Sequence, residues 1–204
     1  VTSRWAADAG GALRAAAVPP APATEIIGDL RLRDLEQDPA MAALVAEAQP
    51  LYDEYFHEDL LDDVRSRENA RVAFLVRSGR DGAPPLFCGV LVYKLWGAPL
   101  RAMSVLRVAV PARLRTLGYG RQLMRWLMQK AVALPRHQCA KVTLCAMPEA
   151  IPFYDRLGFA PIPLDDLAPC SETEDAEEEL PAPMPGALWM QYKCGRFVKP
   201  ASKR

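Results

Sequence analysis

The sequence lacks several features that would each have pointed to a function. Its five cysteines, Cys88, Cys139, Cys145, Cys170 and Cys194, form no C-x-x-C pair. An odd count at scattered spacing argues against a disulfide framework and against a zinc site. Reduced, mostly buried thiols in a reducing compartment are expected instead. No apolar run reaches the ~18 residues that a membrane span requires, so no membrane partner is expected. An excess of one charge is also missing. The 25 basic residues balance 25 acidic ones, which disfavours a nucleic acid as partner. Methionine does not open the chain. It starts at Val1, which fits a trimmed sequence or a piece of a larger enzyme.

What is present allows one domain. The chain has 204 residues, half of them hydrophobic, enough for a sizeable core. The balanced total hides an uneven distribution. Residues Asp165 to Glu179 hold eight acids and no base, leaving 17 acids against 25 bases elsewhere. That surplus would attract a phosphorylated cofactor. Residues 1–23 are rich in Ala, Pro and Gly and carry Arg4 and Arg14. They read as a flexible leader or linker, with the remnant of a transit peptide as the alternative. A cytoplasmic or nuclear location follows, or an organelle under the alternative. The expected domain spans 24–199, with an acidic, Pro-rich insertion at 165–186. The insertion reads as a hydrated loop, although its acids could recruit a cationic partner.

Periodicity gives the elements. Thr24 to Arg33 alternates as a strand. Asp38 can cap a helix over 38–48, with Pro39 suited to its first turn. Pro50 is expected to interrupt it before a second helix over 51–64. Ala70 to Arg77 and Leu86 to Trp96 read as strands, and the turn at Gly97 to Pro99 folds the second onto Leu100 to Val110 as a hairpin. From Gly120 the period changes: Leu123, Met124, Leu127, Met128 and Ala131 share one helix face. Pro135 ends that helix. Lys141 to Ala146 is a buried strand, Pro148 to Leu157 a short helix stopped by Gly158, and Phe159 to Ile162 and Ala187 to Lys193 are strands. The order β-αα-βββ-α-β-α-ββ implies a mixed α/β layout around a single sheet.

The segment that carries chemistry is VLRVAVPARLRTLGYGRQLM at 105–124. Gly118 and Gly120 permit a tight turn and close approach of backbone to a ligand. The helix that follows starts with unpaired N–H groups and a dipole that favours negative charge. Arg113, Arg115 and Arg121 add positive charge at the same turn. Together these make a diphosphate cradle. No Lys-Ser/Thr pair follows the glycines and the spacing is not G-x-G-x-x-G, which argues against a P-loop hydrolase and a dinucleotide fingerprint.

The spacing Arg115-Thr-Leu-Gly118-Tyr-Gly120 resembles the acetyl-CoA motif of the GNAT superfamily of N-acetyltransferases. Ala150 to Phe159 (AIPFYDRLGF) is similar to that family's A-x-x-x-Y-x-x-x-G-F element. The resemblance implies a mixed sheet flanked by helices, with acetyl-CoA held by Val108, Ala109, Val110, Arg115, Thr116, Leu117, Gly118, Tyr119, Gly120 and Arg121. It implies two splayed strands between which the pantetheine arm lies, bonded by the backbone of Val108 and Val110, with the Val108 N–H polarising the thioester oxygen. A neutral primary amine would attack the thioester directly, and Tyr154 would protonate the departing thiolate. The acceptor stays open between a protein lysine, a protein N-terminus and a small amine. A base is harder to find. Leu100 to Val110 contains no carboxylate, and Ser104, where some relatives place a glutamate, cannot serve. Glu54, His57 and Glu58 on the second helix are candidates, with Glu54 taken as the base. Met147 stands where many relatives have an asparagine. Cys145 ends the central strand and opens a covalent alternative. The missing strand glutamate also supports a non-catalytic acyl-CoA sensor or interaction module. A monomer or a homodimer is expected.

Overall fold

The computed structural model describes residues 23–79, 85–163 and 187–194. The leader at 1–22, the acidic insertion and the last ten residues lie outside the described residues. The elements run β1 (Thr24–Leu30), α1 (Leu32–Gln37), α2 (Pro39–Phe56), α3 (Leu60–Arg65), β2 (Ala70–Arg77), β3 (Leu86–Trp96), β4 (Ala102–Ala109), α4 (Tyr119–Ala133), β5 (Lys141–Ala146), α5 (Ile151–Asp155), β6 (Ala160–Pro161) and β7 (Leu188–Lys193). The seven strands form one sheet in the order β1-β2-β3-β4-β5-β7-β6. β4 and β5 pair in parallel, and the other described pairs are antiparallel.

Alternation along the strands builds two cores, one on each face. Val72, Phe74, Val76, Val90 and Val92 pack under α1, α2 and α3. Ala73, Leu75, Leu91, Tyr93 and Met103 pack under α4 and α5. Leu123, Met124 and Leu127 of α4 are fully buried there. Each such side chain contributes roughly 1.5–3 kcal/mol relative to an exposed one.

Two helix boundaries differ from the sequence reading. α2 runs unbroken through Pro50 and ends at His57, whose φ of 54° is left-handed. Met41, Leu44, Ala48, Leu51 and Tyr52 are all buried along it, so one apolar stripe spans the proline. Burying that stripe outweighs the hydrogen bond that Pro50 removes. The expected second helix is therefore the short α3, capped by Asp59, whose carboxylate accepts from the Asp62 amide at 3.0 Å. The first strand stops at Leu30, after a register shift between Ile27 and Leu30. Leu32–Gln37, partly assigned to that strand in the sequence reading, forms α1.

Candidate active site

The decisive geometry lies between β4 and β5. Their pairing runs from Ala102↔Lys141 to Val105↔Leu144 and stops there. β4 continues to Ala109 and stays bonded to β3, with Arg107 opposite Val92 and Val105 opposite Tyr93. Leu106 is thus a surplus residue, a β-bulge that bends β4 immediately after its last contact with β5. Beyond it, Arg107 to Ala109 keep one ladder and lose the other, leaving a free strand edge inside the sheet.

That edge leads into the cradle. After Pro111 a single 3-10 turn (Ala112–Leu114) leads to Thr116 at φ 71° and Gly118 at φ 86°. Gly118 caps α4 with no side-chain partner. The first recorded bond of the helix is Gln122 N–H to the Gly118 carbonyl at 3.0 Å. Among the described residues the amides of Thr116 to Arg121 have no hydrogen-bond partner. A side chain on Gly118 would meet nothing within 4 Å, so the turn is open. These unpaired donors at a helix start fit a diphosphate group. Gly89 on β3 supports the arrangement: a Cβ there would lie 2.9 Å from the Ala109 carbonyl and 3.2 Å from Val110, so only glycine lets β4 and α4 close at this point.

The expected binding residues fall around this opening. Val108 and Val110 are half-buried and Ala109 is buried. Arg113, Arg115, Thr116, Leu117 and Arg121 are exposed, Leu117 by 57%. The Arg115 guanidinium lies 4.8 Å over the Tyr55 ring. Tyr119 points the other way. Its ring is buried in the core and its hydroxyl accepts from Arg77 at 3.4 Å, so only its amide faces the cradle. Gly120 sits 3.6 Å, measured from an added Cβ, from the Phe153 ring, which brings α5 against the start of α4.

Tyr154 follows Phe153. Its ring is buried and packs edge-on against Phe153 and Phe159 at 5.0 and 5.8 Å. Its hydroxyl has no hydrogen-bond partner among the described residues, and burial pushes the phenol up to about 12. The phenol therefore keeps its proton through the neutral range. Cys145 is exposed rather than buried, one residue past the last β4–β5 pair, and the partial desolvation it still feels raises the thiol, which disfavours a thiolate. Ser104 is buried in a hydroxyl pair with Thr143 at 2.8 Å and accepts from Trp96 Nε1 at 2.9 Å.

On the other face, the turn between α2 and α3 is tied to the free edge. Arg107 donates to both Glu58 oxygens at 2.9 and 3.1 Å. Its Nε lies 4.0 Å from Asp63, a carboxylate that accepts from Tyr52 at 2.6 Å and from Arg67 at 2.7 Å. Sequence reasoning missed this clamp. The available signal is Arg107 itself, the one charge in the apolar run VLRVAV. Glu58 is thereby engaged with Arg107, while Glu54 is exposed on the last turn of α2.

Charge is segregated by segment. Residues 34–64 hold ten acids and no Lys or Arg, whereas residues 82–148 hold ten Lys and Arg and no acid.

A family model for the Acetyltransferase (GNAT) family matches residues 31–159. The chain belongs to that family. The match runs from α1 through Tyr154 and so contains both the cradle and the strand fork of this GNAT acyltransferase. Among solved structures it is similar to Tetrahymena GCN5 (14% identity, covering 86% of this chain and 98% of that one, TM-score 0.55). It is also similar to the ribosomal-protein-S18-alanine N-acetyltransferase of Escherichia coli (16%, 86% and 99%, 0.52). A third likeness is to Arabidopsis thaliana NAA60 in complex with acetyl-CoA (15%, 69% and 86%, 0.53). At these identities the likeness concerns the fold. No curated protein matches the sequence.

Proposed function

We propose that this GNAT chain transfers an acetyl group from acetyl-CoA to a primary amine by direct attack. The observation that carries the proposal is the single-residue bulge at Leu106. It opens a free β4 edge that leads into a helix start with unpaired amides. The amides of Thr116 to Arg121 would grip the diphosphate, helped by Arg113, Arg115 and Arg121. The backbone of Val108 and Val110 would hold the pantetheine arm as an added strand. Acetyl-CoA would supply the acetyl group to the amine nitrogen, with CoA leaving as a thiolate when the C–S bond breaks.

The Val108 N–H would donate to the oxygen that gains charge during attack. Glu54 would take a proton from the incoming amine, directly or through water. Tyr154 would donate to the departing sulfur. A phenol at about 12 is a weaker acid than a free one, but a thiolate in the same dry surroundings is also more basic, so burial does not by itself widen the gap. NAA60 in complex with acetyl-CoA lends support to the cofactor assignment through the shared fold.

The test is kinetic. Tyr154→Phe is expected to lower kcat by roughly 100-fold with acetyl-CoA affinity unchanged, and Glu54→Gln to lower kcat/KM for the amine several-fold. Because the phenol is raised, kcat should show no falling limb below about pH 10 from Tyr154. Normal turnover of Tyr154→Phe would remove it from the chemistry. Tight acetyl-CoA binding with no turnover over a broad amine panel would make the chain an acyl-CoA sensor instead.

A further inference from the structure

Cysteines scattered along the chain are brought together by the sheet in one place. Cys139 lies in the loop between α4 and β5, and Cys194 follows β7 directly. Both are free thiols. In the antiparallel ladder of β5 and β7, Lys141 stands opposite Lys193. One step further out, the Cys194 amide donates to the Ala140 carbonyl at 2.9 Å. Cys139 is thus the chain neighbour of the residue that faces Cys194. Both side chains pack into the core under α4, and the two thiols hydrogen-bond to each other. The Cys139 thiol is itself fixed, donating to the Lys141 carbonyl at 3.5 Å.

Position and exposure suit a covalent join. A disulfide needs Cα atoms about 4.4–6.8 Å apart and side chains that face each other, and thiols already in contact across adjacent ladder positions satisfy the second condition. Cys139 is fully buried and Cys194 half-buried, so one sulfur is reachable from solvent and the other stands behind it. Cys145, by contrast, is exposed toward the fork end of β5, and Cys88 is buried on β3. A tether also has something to hold. β6 pairs with β7 only at Met190 and Gln191. Among the described residues, the backbone from Tyr192 to Cys194 is therefore bonded to the β5 side alone. A strand end supported on one edge is where local opening begins.

We propose that Cys139 and Cys194 form a reversible thiol–disulfide pair, which takes a small-molecule disulfide of the glutathione type as its oxidant and, once joined, locks β7 to β5. The half-buried Cys194 loses its proton and its sulfur attacks one sulfur of the oxidant. The S–S bond of the oxidant breaks and one small thiolate leaves. Cys139 then loses its proton and attacks the Cys194 sulfur of the mixed disulfide, releasing the second small thiolate. The two protons end on the two small thiols, so two protein thiols are oxidised as one small disulfide is reduced. Burial raises both protein thiols, so few thiolates stand ready and the join forms slowly. The closed loop takes in β5, α5, β6 and β7, and closing a long loop removes much of the freedom of the unfolded chain. The pair sits at the end of β5 away from the fork, so its chemistry is independent of acetyl transfer.

The experiment incubates the full chain with glutathione disulfide, quenches it in acid and maps the linked peptides by mass spectrometry. A Cys139–Cys194 link is expected as the main product. The oxidised chain should melt roughly 5 °C or more above the reduced one, and dithiothreitol should reverse the gain. The Cys194 amide should exchange its hydrogen roughly tenfold more slowly once the link is made. Cys194→Ser should melt close to the reduced chain and lose both gains, and Cys194→Ala is the second variant should the serine fail to fold. Cys170→Ser, at a position outside the described residues, should keep both gains. Three results overturn the proposal: a main link that runs from either cysteine to Cys145 or Cys170, a product that stops at mixed disulfides with glutathione, or a melting temperature that the formed link does not move.

Discussion

The segment from 34 to 64 and the segment from 82 to 148 are electrostatic opposites, ten acids without a base against ten bases without an acid. The first supplies the helices on one face of the sheet. The second supplies the central strands, the cradle and α4 on the other face. A net charge of zero concealed this, because the halves cancel. Each half suits one of the two molecules an acetyl transfer must bring together, a polyanionic cofactor and an amine that is cationic in water. They meet at Arg107 with Glu58 and Asp63, and at Arg115 over Tyr55, beside the free edge where a thioester would lie.

Breaking the junction should have the largest effect on the fold. Asp63→Asn removes a buried negative charge from between Arg67 and Arg107. It is expected to cost about 2–3 kcal/mol, below the value for a wholly buried pair because both arginines are partly solvated. A melting temperature lowered by several °C checks it. Reversing the basic side comes next. Arg115→Glu with Arg121→Glu should weaken acetyl-CoA binding by roughly 100-fold, flatten its salt dependence and leave the melting temperature nearly unchanged, since both side chains are exposed. Calorimetry at two salt concentrations measures both. The smallest effect comes from the glycines, and it separates backbone from ligand. Gly118→Ala forces φ 86° on a residue with a Cβ and should destabilise by roughly 1–2 kcal/mol. Gly120→Ala has ordinary contacts only and a helical backbone. It should be neutral in a thermal melt and show its cost only when acetyl-CoA is added.

The strands with clear punctuation were legible. Ala70–Arg77, Leu86–Trp96 and Lys141–Ala146 begin and end where alternation and β-branched residues give way to loop residues. The turn at 115–118 and the helix start after it were legible too, because the glycines that permit them are neighbours in sequence. Pro50 misled because a local rule met a buried stripe extending on both sides of it. The clamp was invisible for a different reason: Arg107 and Glu58 are 49 positions apart, and no local pattern pairs them. The register of β4 against β5, which creates the fork, depends on a bulge that apolar alternation does not mark.

Leu106 and Arg107 lean toward the same face of the sheet because one of them is in excess of the ladder. Deleting Leu106 would let Val105 and Arg107 follow Tyr93 and Val92 in unbroken succession, a tidier hairpin by every rule of strand pairing. Such a shortened protein would give up the packing of Leu106 on the helix-side core and straighten the bend that parts the two strands. Regularity and opening compete here over a single amino acid, and the natural chain sits on the side of the irregular one.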